Sequence, residues 1–276
     1  MTPATIKANG IEFAYLEQGK GPLVLLVHGF PDTAHTWDRV MPAVAEAGFR
    51  AVAPFTRGYW PTEAKGPYDS DTLGDDIAAL IEALGERQAI VVGHDWGASA
   101  AYCAAGSHPD RVRMLITMAI PHPKSLKPGP LMLWRIRHFF TLGRASGPAK
   151  ARANDFAYID ELWRRWSPAW KDLPASETAA VKESFRHDGS LEAACAYYAA
   201  TNPRKRPKGH RPNIQMPAVA FAGTEDMIAP RAYEKARHCY ASSYEVIQVP
   251  GGHFMHREHP DEFITELVRT LKQHGQ

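Results

Sequence analysis

The ten residues from Gln88 to Gly97, QAIVVGHDWG, constrain this chain more than any other stretch. A β-branched apolar run leads into Gly93-His94-Asp95-Trp96-Gly97, and an alanine-rich, helix-prone segment, Ala98 to Ala105, follows at once. The order is strand, sharp turn, helix. Glycines on both sides let strand and helix approach closely, and the residue between them stands above the strand end. That residue is Asp95, so the group on display is a carboxylate. A carboxylate attacks saturated carbon to give an alkyl ester, whereas a serine alkoxide attacks carbonyl carbon.

The flanking sequence repeats the alternation. Ile11 to Leu16, Leu23 to Val27 and Arg50 to Pro54 read as strands, with a helix from about Arg39 to Ala47 between the last two. Leu73, Ile77, Leu80, Ile81 and Leu84 mark one face of a further helix, capped by Ser70 or Asp71 and ended by Gly85. Val112 to Ile120 is the next strand. Strands alternating with helices at these spacings predict βαβ units and a mostly parallel central sheet flanked by helices. From Pro121 to Pro217 the strand pattern stops, and only helical stripes remain, such as Phe156, Ile159, Leu162, Trp163 and Trp166. This stretch is bounded by proline-rich segments and holds four of the seven tryptophans. It predicts a helical cap, residues 124–215, inserted into an α/β core of residues 1–123 and 216–276. Strands resume at Ala218 to Ala222 and Tyr244 to Val249, with a helix near Arg231 to Cys239 between them and a last helix from Pro260.

With 276 residues and 45% hydrophobic content, one domain with an insertion is expected. The first residues lack a signal-peptide core, and no run approaches the roughly 18 apolar residues of a membrane span. A cytoplasmic protein without membrane association is the expectation, and the sequence is compatible with a homodimer. Cys103, Cys195 and Cys239 suit neither a disulfide framework nor a zinc site and read as packing residues. The insertion carries 17 Lys and Arg against 8 Asp and Glu, while the whole chain is only +2. Docking of a basic insertion on an acidic frame explains this asymmetry, and the basic run Arg204 to Arg211 comes with no nucleic-acid motif.

In a parallel sheet, ligands bind where strands end. Three strand ends carry titratable groups in the order nucleophile, acid, histidine: Asp95, Asp226 in Gly223-Thr224-Glu225-Asp226, and His253 in Pro250-Gly251-Gly252-His253. Together with His28-Gly29-Phe30-Pro31, these motifs make the chain resemble the α/β-hydrolases of the epoxide-hydrolase and haloalkane-dehalogenase branch. The resemblance runs from His28 to Phe254 and implies an α/β-hydrolase fold. It implies Asp95 as nucleophile, Asp226 as the acid that orients the base, and His253 as the base that activates water. The backbone N–H groups of Phe30 and Trp96 would receive the oxyanion. Glu225 competes with Asp226, and His256 and His259 with His253; family spacing favours Asp226, and first place after the strand favours His253. His28, His94 and His122 read as structural.

In this branch, cap tyrosines hold the epoxide oxygen, and Tyr198 in the segment Leu191 to Asn202 resembles one of them. Where relatives carry a second tyrosine, after Trp134, this chain has Arg135; Arg135 itself, His138 or Tyr158 are the candidates for the second donor, or one donor holds the oxygen alone. Phe55 stands where relatives commonly have Asp. A halide would need donors beyond Trp96, and a haloacid would need arginines where Trp96, Ser99 and Tyr102 stand. The expected activity is therefore opening of a small to medium, largely apolar epoxide to a vicinal diol with water. A haloalkane or haloacid dehalogenase and a small-molecule receptor are the alternatives. Neither an organic cofactor nor a metal-ligating cluster is expected.

Overall fold

Every residue of Leu23–Val27 and of Ala89–His94 is buried, as in strands covered on both faces. The computed structural model, which describes residues 1–126, 129–170, 172–202 and 206–274, places both at the centre of one sheet. Its strands are β1 (Ala4–Ala8), β2 (Ile11–Gln18), β3 (Leu23–Val27), β4 (Arg50–Pro54), β5 (Ala89–His94), β6 (Val112–Met118), β7 (Ala218–Gly223) and β8 (Tyr244–Val249). Their order is β1-β2-β4-β3-β5-β6-β7-β8, with β1, β2 and β4 paired antiparallel and every other pairing parallel. This is the α/β architecture expected from the alternation. The expectation omits β1, whose residues are mostly exposed, although Asn9-Gly10 at positive φ is a recognisable hairpin turn.

Outside the sheet lie α1 (Val40–Glu46), α2 (Ser70–Ala83) and α3 (Trp96–Ser107). Between β6 and β7 come α4 (Pro130–Arg135), α5 (His138–Leu142), α6 (Gly147–Trp166), α7 (Ala175–Arg186) and α8 (Ser190–Ala199). The chain closes with α9 (Pro230–Glu234), α10 (Met255–Glu258) and α11 (Pro260–His274). Helix α2 packs on α3, and α1 on α11, giving the sheet its two covering layers. The cap of α2 is Asp69 rather than Ser70 or Asp71: its carboxylate accepts the Thr72 N–H at 3.2 Å, leaving Ser70 as the first helical residue. The stripe expected along α6 is real, but the helix breaks at Ala153–Phe156, where three consecutive residues turn left-handed.

Three contacts fasten the helices between β6 and β7 to the ends of the sheet. The Trp163 indole N–H donates to the Pro31 carbonyl at 2.9 Å, and its ring stacks on Phe254 at 3.7 Å. The Tyr197 hydroxyl donates to the Arg57 carbonyl at 2.6 Å. All three cysteines are buried and free. Among the described residues, no helix is long and apolar enough to cross a membrane. Arg204 and Lys205, part of the basic run, lie outside the described residues; beyond them, Lys208 and Gly209 donate main-chain N–H groups to Asp71.

Candidate active site

Asp95 joins β5 to α3 at φ 52°, ψ −116°, a conformation that costs a non-glycine residue about 1–3 kcal/mol. The glycines around it make that turn sterically feasible. A Cβ on Gly97 would stand 2.2 Å from the Val27 carbonyl oxygen, and one on Gly29 would stand 2.6 Å from Asp95 Oδ1. The strand end therefore presents the carboxylate upward, with only 13% of the side chain exposed. Phe30 donates its main-chain N–H to Asp95 Oδ1 at 2.9 Å. Trp96 opens α3, so its N–H lies outside the helical ladder and adds the positive end of the helix to the anion's surroundings.

Asp226 follows β7 and His253 follows β8, and both side chains turn toward Asp95. His253 Nε2 lies 3.4 Å from Asp95 Oδ2, and its Nδ1 lies 3.5 Å from Asp226 Oδ1. These are ion-pair separations rather than tight hydrogen bonds. The competitor Glu225 is exposed, whereas the Asp226 side chain is wholly buried. Asp226 Oδ1 also accepts the Met227 N–H at 2.5 Å. His253 itself is fixed through its main chain: its N–H donates to the Trp166 carbonyl at 2.8 Å, and its carbonyl accepts from His94 Nε2 at 3.0 Å.

The charges follow from this packing. Burial is the strongest single influence on Asp95 and pushes its pKa up, but hydrogen bonding and charge from His253, with the Phe30 N–H, outweigh it and leave it lowered. Burial likewise opposes a charged His253, yet Asp226 and Asp95 together lift its pKa to about 10. The resting site thus holds an imidazolium between two carboxylates.

Opposite Asp95, the helices between β6 and β7 supply a ring of buried side chains. Tyr198 packs edge-on against Phe30 at 5.1 Å and Trp96 at 5.2 Å. Burial and then the Asp95 charge push its hydroxyl pKa well above the usual value, while the Trp96 side chain hydrogen-bonds to it and works the other way. His138 lies beside it, with ring centroids 5.6 Å apart. Burial drives the His138 pKa down to about 3, against the Asp95 charge and a backbone hydrogen bond to Arg135 that work the other way, so its ring is neutral. Arg135 donates to the Met227 carbonyl. The half-buried Tyr158 lies under the Lys150 ammonium at 5.2 Å and is also near enough to Tyr198 to act on its hydroxyl.

His28, His94 and His122 each hold main-chain groups, the structural work expected of strand-end histidines. Ser99 bonds to Ser70 and His210, and Tyr102 to Thr117, so neither offers a carboxylate-binding group beside Asp95. Trp166 escapes sequence reasoning: its place in a helical stripe gives no sign that its ring lies 5.1 Å from the His253 ring. The fold also gathers Asp32, His94 and His256, a ligating trio from distant parts of the sequence where none was expected.

A family model described as the alpha/beta hydrolase fold matches residues 22–260. The AB hydrolase superfamily protein YfhM of Bacillus subtilis is 30% identical over 95% of each chain. An epoxide hydrolase of Caballeronia sordidicola is 46% identical over a shorter span, 42% of this chain and 36% of that protein. An epoxide hydrolase structure from Bacillus megaterium has a TM-score of 0.86 at 24% identity, covering 98% of this chain and 100% of that one, which shows a shared fold.

Proposed function

We propose that this chain, which belongs to the α/β-hydrolase family, opens a small to medium, largely apolar epoxide to a vicinal diol through an ester on Asp95. The observation that carries this reading is an ionised carboxylate at a strained strand end, facing two neutral hydrogen-bonding side chains, Tyr198 and His138, across a ring of aromatic groups. Residues 124–215 act as the cap that supplies them.

The reaction divides into two steps. Asp95 Oδ2 attacks a ring carbon, the C–O bond breaks, and the leaving oxygen takes the Tyr198 proton while one ring N–H of His138 steadies it. Forming the ester removes the Asp95 charge, one of the two that hold the proton on His253. The imidazole then gives up that proton, which replaces the one lost by Tyr198, and becomes a base. Water attacks the ester carbonyl, giving its proton to His253, while the carbonyl oxygen draws on the N–H groups of Phe30 and Trp96. Collapse passes the remaining hydroxyl proton to the departing alkoxide. The diol leaves, and the Asp95 carboxylate and His253 imidazolium return.

Oxygen-18 water tests this division under single-turnover conditions. With enzyme in excess, the first diol should carry unlabelled oxygen from Asp95 and the label should appear in the protein. Label in the first diol would mean direct attack by water. Release of halide from haloalkanes, with no diol from any epoxide, would favour the dehalogenase reading.

A further inference from the structure

Behind the site, three loops at strand ends converge on a second cluster. Asp32 follows β3, His94 ends β5 and His256 sits in α10 after β8; all three are buried. One ligating atom of each lies within 4.8 Å of the others. Each also keeps one buried atom without a hydrogen-bond partner: Asp32 Oδ2, His94 Nδ1 and His256 Nδ1.

The neighbours account for the other polar atoms of these side chains. His94 Nε2 bonds to the His253 carbonyl at 3.0 Å, and a carbonyl only accepts, so Nε2 carries the ring proton and Nδ1 is a bare lone pair. Asp32 Oδ1 accepts the Thr33 main-chain N–H at 2.8 Å, which leaves Oδ2 unused. His256 Nε2 lies 2.6 Å from the Thr36 hydroxyl, which leaves Nδ1 unused. Three buried ligating atoms therefore converge without a partner among the described residues, and one cation satisfies all three.

We propose that Asp32, His94 and His256 form a structural binding site for a divalent transition-metal ion of the zinc type, beneath the active site. Two imidazole nitrogens and one carboxylate oxygen are a ligand set suited to such an ion. Zinc bonds of about 2.0–2.2 Å place ligand atoms about 3.3 Å apart, so the trio closes by at most about 1.5 Å on loading. The ion ties together the loops after β3, β5 and β8, and through the His94 bond it stiffens the main chain that carries His253.

The test uses the tag-free full chain, with metal content by mass spectrometry and thermal unfolding with Zn2+ or after chelation. Co2+ absorption reports the coordination directly. Expected are one tightly held Zn2+ per chain, a transition lowered by chelation and restored by Zn2+, and at least ~100-fold weaker binding in His256→Gln. His256→Asn is a second variant in case the first folds poorly, and each variant's transition in chelator reports its fold. Equal metal content in wild type and a folded His256 variant would assign the metal to surface histidines and overturn the site. Absence of both bound metal and a Zn2+-dependent shift would leave water as the occupant and overturn it equally.

Discussion

His253 Nε2 stands 3.4 Å from Asp95 Oδ2, and the same ring reaches Asp226 through Nδ1 at 3.5 Å, so one imidazole is shared by two carboxylates. In the proposed route this arrangement holds His253 protonated until Asp95 loses its charge. Asp95→Asn imitates that loss. In this variant the His253 pKa should fall from about 10 toward its ordinary value, a shift that NMR of the imidazole resonances reads directly. An unchanged titration would remove the link between ester formation and release of the base.

The same elevated pKa has a consequence for stability. A group whose pKa rises on folding stabilises the protein fully below its unfolded value, here 6.5, and that contribution is lost as pH rises through the folded value of about 10. Thermal unfolding of wild type and His253→Gln across this window should show the stability that wild type owes to His253 shrinking as pH rises. A difference that stays constant would mean that His253 is not charged in the folded state.

Tyr198 and His138 lie side by side, with ring centroids 5.6 Å apart, and the Asp95 charge acts on both. Tyr198→Phe should slow single-turnover ring opening by about 10²–10⁴-fold, the usual contribution of a general acid. His138→Phe should slow the same step by a smaller factor, and His138→Gln, which keeps an N–H donor, should recover part of it. Equal rates for His138→Phe and wild type would leave the ring oxygen to Tyr198 alone.

Close approach of α3 to β3 depends on Gly97, whose added Cβ would meet the Val27 carbonyl oxygen at 2.2 Å. Backbone cannot swing aside as a side chain can, so Gly97→Ala should destabilise the fold by about 3 kcal/mol, the upper range for overpacking. Denaturant unfolding measures it. An unchanged midpoint would show that strand and helix separate without loss.

Asp95, Asp226 and His253 were legible in the sequence because each follows directly on an apolar strand, and the parallel order of those strands carries all three to one edge. The turn at Asp95 was legible in its flanking glycines. Tyr198 could be told from Tyr197 only through resemblance, because α8 buries both rings and packing alone decides that Tyr197 reaches Arg57. The break in α6 at Ala153–Phe156 leaves no mark on the apolar periodicity. Trp166 and the Asp32–His94–His256 cluster depend on contacts between residues far apart in the chain, and no local pattern encodes them; His138 entered the sequence reading only as one of several candidates beside Tyr198.

The intermediate itself can be weighed. His253→Gln removes the base but leaves Asp95 able to attack, so after incubation with an epoxide its intact mass should rise by the mass of one whole epoxide, on the peptide that carries Asp95. A variant that stays unmodified by epoxides which the wild-type protein converts to diols would contradict a covalent route through Asp95.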